Sequence, residues 1–234
     1  MKKIITYETI RSFAYVNDKV CKKPIKGIVI YFCGLNNKDI YDDDTNEGVY
    51  YGEEGVLYVH PYNNPWSWMN AQAIAYTDEI VDVLFEKYGL PEDTPVVSMG
   101  QSMGGLASLV YTKYAKRTPV ACIPNCPVCD LVYHFTERPD LPRTIYSAFW
   151  NEEGELNDIL KRYSPFHLAP EMPKVKCLIE CRDSKNERHR ATIRWIVVTA
   201  SDQGAQFAPR PNPIISRFRW NCNRIIIWAH SSAG

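Results

Sequence analysis

The sequence predicts an α/β protein whose mostly parallel central sheet is flanked by helices. Short apolar runs typical of buried strands alternate with longer segments whose apolar residues recur every three or four positions, as on one face of a helix. Such alternation favours right-handed strand–helix–strand crossovers and hence parallel strands. In addition, a G-x-S-x-G sequence lies between one of these strands and the helix that follows it.

The strands are predicted from their apolar runs, in chain order. A first, antiparallel strand is expected near residues 5–16. The continuous run at 27–32 predicts a central strand that is covered on both faces, and 55–59 predicts the next strand. Later strands are expected at 119–124 and 175–181. The strand before the G-x-S-x-G sequence begins at 95–97, where two valines follow a proline.

The segments between the strands supply helices and one insertion. Residues 70–88 carry an apolar stripe at helical spacing, and Gly89 follows as a typical helix end. Residues 131–172 break the alternation with prolines, aromatic residues and a further helical pattern. We interpret them as a small lid-like insertion over the carboxyl ends of the strands, where open α/β sheets bind ligands. Residues 1–234 are otherwise expected to form a single domain.

Composition and charge argue against several classes of partner. Hydrophobic residues make up 45% of the chain and charged residues 23%, which is ordinary for a globular protein. The formal net charge is zero, so neither nucleic acid nor an anionic membrane is expected as a partner. The first residues lack the apolar core of a signal peptide, and no apolar run approaches the ~20 residues of a membrane span. A cytoplasmic location with reduced cysteines is therefore expected.

Two groups of residues resemble metal sites, but neither is predicted to bind a metal. Cys122, Cys126 and Cys129 have the spacing of an iron–sulfur loop, but they straddle a predicted strand end and a turn, which favours packed thiols. The acidic stretch at 39–54 lacks the alternating order of a calcium loop, so a solvated loop is expected there. No metal and no organic cofactor are predicted.

The G-x-S-x-G sequence occupies residues 100–104. A strand that turns sharply into a helix leaves the residue at the turn in a strained conformation. Its neighbours two positions away must be small, which Gly100 and Gly104 satisfy. Such a turn would lift the Ser102 hydroxyl clear of the sheet and point the first free N–H groups of the helix, including that of Met103, at whatever Ser102 attacks.

With this motif in its strand–turn–helix context, the sequence resembles the α/β-hydrolase family, near its prolyl-oligopeptidase-like and small carboxylesterase branches. The resemblance covers about residues 24–182. It implies that Ser102 is the nucleophile and that the strand at 27–32 leads into an oxyanion loop. In that loop Cys33 takes the place of a histidine that is common in the family, and Gly34 keeps the family's glycine.

The same resemblance implies the remaining catalytic groups. The N–H groups of Leu35 and Met103 would hold the oxyanion, each contributing ~3–4 kcal/mol. The catalytic acid would follow the strand at 175–181, which selects Asp183, with Asp130 as the alternative. The catalytic histidine would follow the last strand, which selects His230 after the apolar run at 224–229.

The other histidines and two tryptophans are given other roles. His60 precedes the nucleophile and His167 leads into the next strand, so both are expected to be structural. His189 lies too close behind the predicted acid to come from a later strand. Trp66 and Trp68 fall in a loop, where they either seal the core or wall a substrate pocket.

Residues 183–234 differ in composition from the rest of the chain. All 15 tyrosines precede residue 164, and the final 52 residues hold one lysine and seven arginines. Residues 201–213 have the composition of a loop where a helix would be expected. One hypothesis is that this atypical tail is translated out of the ancestral frame or is otherwise foreign. In that case the histidine at position 230 is a coincidence.

The function expected from this resemblance is a serine hydrolase that acts on a small-molecule ester. A prolyl-oligopeptidase-like peptidase is the first alternative. Such peptidases normally carry an N-terminal propeller and a clamp for the substrate amine, which favours the esterase. A catalytically dead binding protein with the same fold is the second alternative. The sequence predicts neither the acyl and alcohol groups nor the oligomeric state.

Overall fold

The computed structural model describes residues 5–179 and 196–197. Within these ranges seven strands form one sheet in the order β1-β3-β2-β4-β5-β6-β7. The strands are β1 (Ala14–Val16), β2 (Gly27–Phe32), β3 (Val56–Pro61), β4 (Val96–Gln101), β5 (Ala121–Asn125), β6 (Lys176–Cys177) and β7 (Ile196–Val197).

The sheet is parallel in its centre and antiparallel at both edges. β3, β2, β4, β5 and β6 are parallel to one another. β1 pairs antiparallel with β3, and β7 pairs antiparallel with β6. The mostly parallel central sheet predicted from the sequence is therefore confirmed, and the carboxyl ends of its central strands meet at one edge.

Seven helices accompany the sheet in the described part of the chain. They are α1 (Asn46–Glu53), α2 (Ala71–Tyr88), α3 (Met103–Tyr114), α4 (Leu131–Glu137), α5 (Leu141–Phe149), α6 (Leu156–Arg162) and α7 (Pro165–Leu168). The predicted helix at 70–88 matches α2. Its first turn is capped by the Asn70 side chain, which accepts the Ala73 N–H at 3.0 Å, and it ends at Gly89 in the left-handed conformation.

Two sequence predictions need correction. The stretch at 39–54 is predicted as a solvated loop, but its second half forms α1. Thr45 caps that helix by accepting the Gly48 N–H at 3.0 Å, and Gly48 is buried. The helix forms because a cap and a buried face outweigh the acidic composition. The first strand is also shorter than the predicted 5–16, since a 3₁₀ turn at Ile10–Ser12 precedes β1.

The two faces of the sheet carry different side chains. Successive residues of a strand point to opposite faces. Ile28, Ile30 and Phe32 of β2 belong to the main apolar core, together with side chains of α2 and α3. Val29 belongs instead to a second cluster that is rich in tyrosine.

Residues 131–172, predicted as a lid-like insertion, contain α4 to α7. The first two of these helices are anchored in the main core through Leu131, Leu141, Ile145 and Phe149, each at most 2% exposed. Among the described residues, none of the helices combines the length and the apolar character needed to cross a lipid bilayer.

Candidate active site

Ser102 lies in the turn between β4 and α3. Its backbone dihedrals are φ 57° and ψ −116°. A positive φ is uncommon for a residue with a side chain and costs energy, so such residues concentrate where function requires them. The conformation is the strained strand-to-helix turn that the sequence motif predicts.

Close backbone approach explains the two glycines of the motif. A Cβ atom on Gly100 would overlap the carbonyl group of Gly104, and a Cβ on Gly104 would overlap the carbonyl oxygen of Phe32. All of these neighbours are backbone atoms of regular elements, which cannot move aside easily. Both positions therefore require glycine for packing, irrespective of any catalytic role.

Backbone hydrogen bonds hold Ser102 in place. Its N–H donates to the carbonyl oxygen of Asn125 at 2.9 Å, and its own carbonyl oxygen accepts from Leu106 N–H at 3.1 Å. Because the first bond comes from the end of β5, the turn is tied to the neighbouring strand. Sequence reasoning missed this role of Asn125, although its position at the end of a strand next to β4 was a usable signal.

The loop that follows β2 passes directly beside Ser102. A Cβ atom on Gly34 would lie 3.8 Å from the Ser102 Cβ. The Gly34 carbonyl accepts the Asn37 N–H at 3.4 Å, and Asn36 has a φ of 67°, so the loop folds into a tight turn. Leu35 follows Gly34 in this turn and Met103 follows Ser102 at the start of α3, so both belong to the two backbone segments that meet at the serine.

This turn is fixed from outside by the loop that follows β3. Asn36 N–H donates to the carbonyl oxygen of Pro65 at 3.0 Å. Within residues 5–179, no hydrogen bond engages the N–H of Leu35. Met103 is the first residue of α3, so its N–H has no partner within the helix. Their role as oxyanion donors stays a prediction.

A cavity of about 230 Å³ lies next to this turn. Its walls come from the end of β2, from the loops after β2 and β3, and from the first turns of α3. Gly34 and Met103 line it, while Ser102 itself does not. The cavity is therefore bordered by the residue that precedes Leu35 and by the residue that follows Ser102.

The buried His60 and the partly buried Cys33 form a pair in the wall of this cavity. The Sγ of Cys33 lies 3.0 Å from Nε2 of His60. His60 is 4% exposed, and burial lowers its pKa to about 4. Burial, with a smaller contribution from Asp39, raises the pKa of Cys33 to about 12. Both groups are thus neutral at neutral pH, with the thiol able to donate to the imidazole.

Sequence reasoning assigned His60 a structural role, and its burial and its bond to Cys33 agree with that interpretation. The pairing itself was not anticipated. Cys33 follows the last residue of β2 and His60 lies near the end of β3, and these neighbouring parallel strands end at the same edge. That placement was the signal that could have revealed the pair.

None of the three histidines in the described part of the chain contacts Ser102 through a hydrogen bond. His60 pairs with Cys33, His134 lies 2.6 Å from a carboxylate oxygen of Glu137, and His167 lies 3.0 Å from the hydroxyl of Ser164. The predicted histidine, His230, lies outside the described residues, and so does His189.

Only one of the two candidates for the catalytic acid lies in the described part of the chain. Asp183 also lies outside the described residues. Asp130, the alternative, is the cap of α4, and its carboxylate accepts the N–H of Tyr133 at 3.1 Å. Its side chain therefore already has a structural role.

The two loop tryptophans have separate environments. Trp68 is 1% exposed, and its Nε1 donates to the hydroxyl of Thr144 at 3.3 Å, which ties the loop to α5. Trp66 is 40% exposed. Neither lines the 230 Å³ cavity, so Trp68 seals the core and the pocket-wall alternative is not supported.

Two of the three cysteines with iron–sulfur spacing pack as core residues. Cys122 is 1% exposed and Cys129 is 6% exposed. Within residues 5–179 and 196–197, no group of three or more histidine, cysteine or acidic side chains is arranged to hold a metal ion.

Comparison with known proteins gives matches in structure only. No protein-family model matches the sequence, and no curated protein matches it. The chain is similar to FphF, a fluorophosphonate-binding serine hydrolase of Staphylococcus aureus, with 19% identity and a TM-score of 0.53 over 68% of this chain and 65% of that one. The match thus spans just under two thirds of the staphylococcal protein.

Two further solved structures are similar. An S-formylglutathione hydrolase of Agrobacterium tumefaciens shares 16% identity over 76% of this chain and 72% of its own, with a TM-score of 0.53. An acylaminoacyl peptidase of Pyrococcus horikoshii shares 11% identity over 68% of this chain and 28% of its own, with a TM-score of 0.54. Together with the parallel sheet and the turn at Ser102, these similarities show that the chain has the α/β-hydrolase fold.

Proposed function

We propose that the protein is a serine hydrolase that cleaves small carboxylic esters. The observation that carries this proposal is the strained backbone of Ser102 between β4 and α3, with the Gly34 turn beside it. A serine on such a turn, with the N–H groups of Leu35 and Met103 as the proposed oxyanion donors, is the arrangement needed for acyl transfer. The structurally similar proteins, which include esterases and peptidases that use this fold, support the same reaction class.

In the proposed mechanism, the Ser102 hydroxyl oxygen attacks the ester carbonyl carbon. His230 accepts the serine proton and then donates it to the leaving alcohol, while Asp183 orients the imidazole. The oxyanion accepts hydrogen bonds from the N–H groups of Leu35 and Met103. Water then hydrolyses the acyl-enzyme by the same steps in reverse order. The reaction calls for no metal or organic cofactor.

We propose that the cavity lined by Gly34 and Met103 receives the acyl group, and its size then favours a short one. Its volume of about 230 Å³ is below the ~300–1,000 Å³ of pockets that hold drug-sized ligands. We therefore propose that acetyl and butyryl esters are better substrates than octanoyl esters. A series of p-nitrophenyl esters of increasing chain length tests this point, because kcat/KM should fall with length. A rise toward octanoate contradicts it.

Labelling with a fluorophosphonate probe tests the reaction class. The full chain should be labelled, and Ser102→Ala should abolish the labelling because the probe reacts only with an activated serine. Ester hydrolysis by the variant should fall by roughly 10⁴-fold or more. Labelling that persists in Ser102→Ala would assign the nucleophile to another residue.

Two pairs of variants test the acid and the base. His230→Gln should lower kcat by roughly 10⁴-fold, whereas His189→Gln should leave it nearly unchanged. Asp183→Asn should also lower kcat strongly, and Asp130→Asn should not. If His230→Gln retains full activity, the proposed triad is wrong even though the serine is reactive.

One alternative function has an observation in its favour. None of the histidines within residues 5–179 bonds to Ser102, and the tail that carries His230 differs in composition from the rest of the chain. A hydrolase fold without a working base would serve as a binding protein. Absence of both labelling and ester hydrolysis in the full chain would favour this alternative.

A further inference from the structure

A second cavity, of about 330 Å³, lies on the tyrosine-rich face of the sheet. Its lining includes the rings of four tyrosines, one carboxylate and one thioether, from Tyr31, Tyr41, Tyr51, Tyr58, Glu47 and Met99. We call it the tyrosine cavity. Neither Ser102 nor Met103 lines it, and His60 is the one described residue that lines both this cavity and the 230 Å³ cavity.

The aromatic walls are held in a fixed arrangement. The rings of Tyr51 and Tyr58 are stacked at 5.3 Å between centroids with 4° between their planes, and Tyr31 lies 6.1 Å from Tyr58. The hydroxyl of Tyr51 lies 3.7 Å from the sulfur of Met99. A cavity whose walls are already ordered binds a ligand without a further cost in side-chain entropy.

A neighbouring set of hydrogen bonds fixes the segment that carries Glu47. The hydroxyl of Tyr15 donates to the carboxylate of Asp44 at 2.8 Å and accepts the N–H of Thr45 at 3.2 Å. Thr45 is the cap of α1, and Glu47 lies in the first turn of that helix. The carboxylate is therefore attached to a rigid part of the cavity rim.

The charges around the tyrosine cavity favour a cation. Burial first, and then neighbouring groups that include the Glu47 carboxylate, raise the pKa of all four tyrosines. The rings therefore remain neutral phenols, whose faces carry the negative part of the aromatic quadrupole. His60 also lines the cavity, and because burial lowers its pKa to about 4, it adds no positive charge at neutral pH.

We propose that the tyrosine cavity binds an organic cation with a small alkylated ammonium head. An alkylated ammonium needs no hydrogen-bond acceptor and is attracted by the electron-rich faces of aromatic rings. Glu47, which is exposed at the rim, adds attraction for the positive charge.

Isothermal titration calorimetry on the full chain tests the charge requirement. Choline is the probe, and 3,3-dimethyl-1-butanol, which has the same shape without the charge, is its control. Choline should bind with an affinity at least about fivefold higher, as expected for a cation on aromatic faces. Equal or tighter binding of the neutral alcohol, or no saturable binding of choline, would overturn the proposal.

Variants on α1 locate the site. Tyr51→Leu should weaken choline binding by roughly five- to thirtyfold, and Tyr51→Phe should preserve it, because the ring and not the hydroxyl makes the interaction. The adjacent Tyr50 is 65% exposed and does not line the cavity, although its ring packs edge-on against Tyr51 at 5.4 Å between centroids, so Tyr50→Leu is the matched control and should weaken binding by less than about twofold. A melting temperature for each variant separates lost binding from lost folding. Equal effects of Tyr51→Leu and Tyr50→Leu would place the binding elsewhere.

A second pair of variants tests the contribution of the Glu47 carboxylate to choline binding. Glu47→Gln should weaken choline binding by roughly twofold to fivefold, since the group is exposed and its attraction is screened by solvent. Glu53→Gln removes an exposed carboxylate of the same helix that does not line the cavity, and should leave binding unchanged. Binding of choline that is insensitive to Glu47→Gln but lost in Glu53→Gln would contradict the assignment.

Discussion

The two faces of the central sheet are made by the same strands but have different chemistry. On one face Ile28, Ile30 and Phe32 are at most 3% exposed and pack against α2 and α3. On the other, Tyr31 and Met99 are only partly buried and border a cavity. The comparison teaches that one face supplies the packing that holds the turn at Ser102, while the other has retained room for a ligand.

The largest expected effect lies at the tightest contact of the packed face. We expect Gly104→Ala to lower the free energy of unfolding by roughly 3 kcal/mol or more, because the new Cβ would meet the backbone oxygen of Phe32. Gly89→Ala is the control: a Cβ atom there would have no neighbour within 4 Å, so its cost comes only from the positive φ of 57°. It should cost only about 1–2 kcal/mol. Urea unfolding measures both, and equal costs would contradict the steric explanation.

A pair of adjacent residues compares the two faces directly. Ile30 is 0% exposed on the packed face, and Ile30→Ala should cost about 2–5 kcal/mol of unfolding free energy. Tyr31 follows it on the open face, so Tyr31→Leu should cost about 1 kcal/mol, mainly from lost ring contacts. Chemical denaturation of both variants would show whether a substitution on the packed face lowers the free energy of unfolding more than one on the open face. The contrast fails if the tyrosine variant is the less stable of the two.

His60 makes the open face sensitive to acid. Its pKa is about 4 in the folded protein and 6.5 is the ordinary value, so the unfolded chain binds the proton more tightly. The stability contributed by neutral His60 is complete above pH 6.5 and is lost as the pH falls toward 4. The loss should reach about 3 kcal/mol at most.

The check on His60 is a series of urea unfolding curves across this pH range. His60→Gln should flatten the dependence of stability on pH between 6.5 and 4 relative to the wild type. Parallel curves for the two proteins would show that another group causes the acid sensitivity.

The smallest expected effect concerns a buried hydroxyl pair on the packed face. Ser98 Oγ and Thr112 Oγ1 are 2.7 Å apart, and Ser98 also donates to the carbonyl oxygen of Ser108 at 3.1 Å. Thr112→Val should therefore cost only about 1 kcal/mol, since Ser98 keeps a second partner. Thermal unfolding of Thr112→Val and Thr112→Ser separates the hydroxyl from the methyl group. A loss above about 3 kcal/mol would mean that Ser98 is left unsatisfied.

The packed face was the more predictable of the two from sequence. The run at 27–32 is apolar at every position, as a strand covered on both sides requires, and it matches β2. The end of β4 was less evident, because residues 98–101 hold polar and small side chains whose strand structure depends on pairing with β5. The order of the strands and the antiparallel edge at β7 are tertiary properties without a local signal.

The candidate site was predictable only where a local motif specifies it. Ser102, Gly100 and Gly104 follow from the steric demands of one turn, and the structure shows those demands at each position. The pairing of Cys33 with His60 depends on two strands that are distant in sequence. Trp68 and Met69 both have a positive φ without being glycine, which composition does not reveal. Asp183 and His230 remain predictions.

Among residues 5–179, the hydrogen bonds that hold residue 102 involve backbone atoms only, at Asn125, Leu106 and Val128. The direction in which its side chain emerges is therefore independent of what that side chain is. A cysteine placed at this position would project from the same turn and offer a defined attachment point for a spin label or a fluorophore. A probe attached at this turn would therefore have a well-defined position, from which distances to other labelled sites in the molecule could be measured.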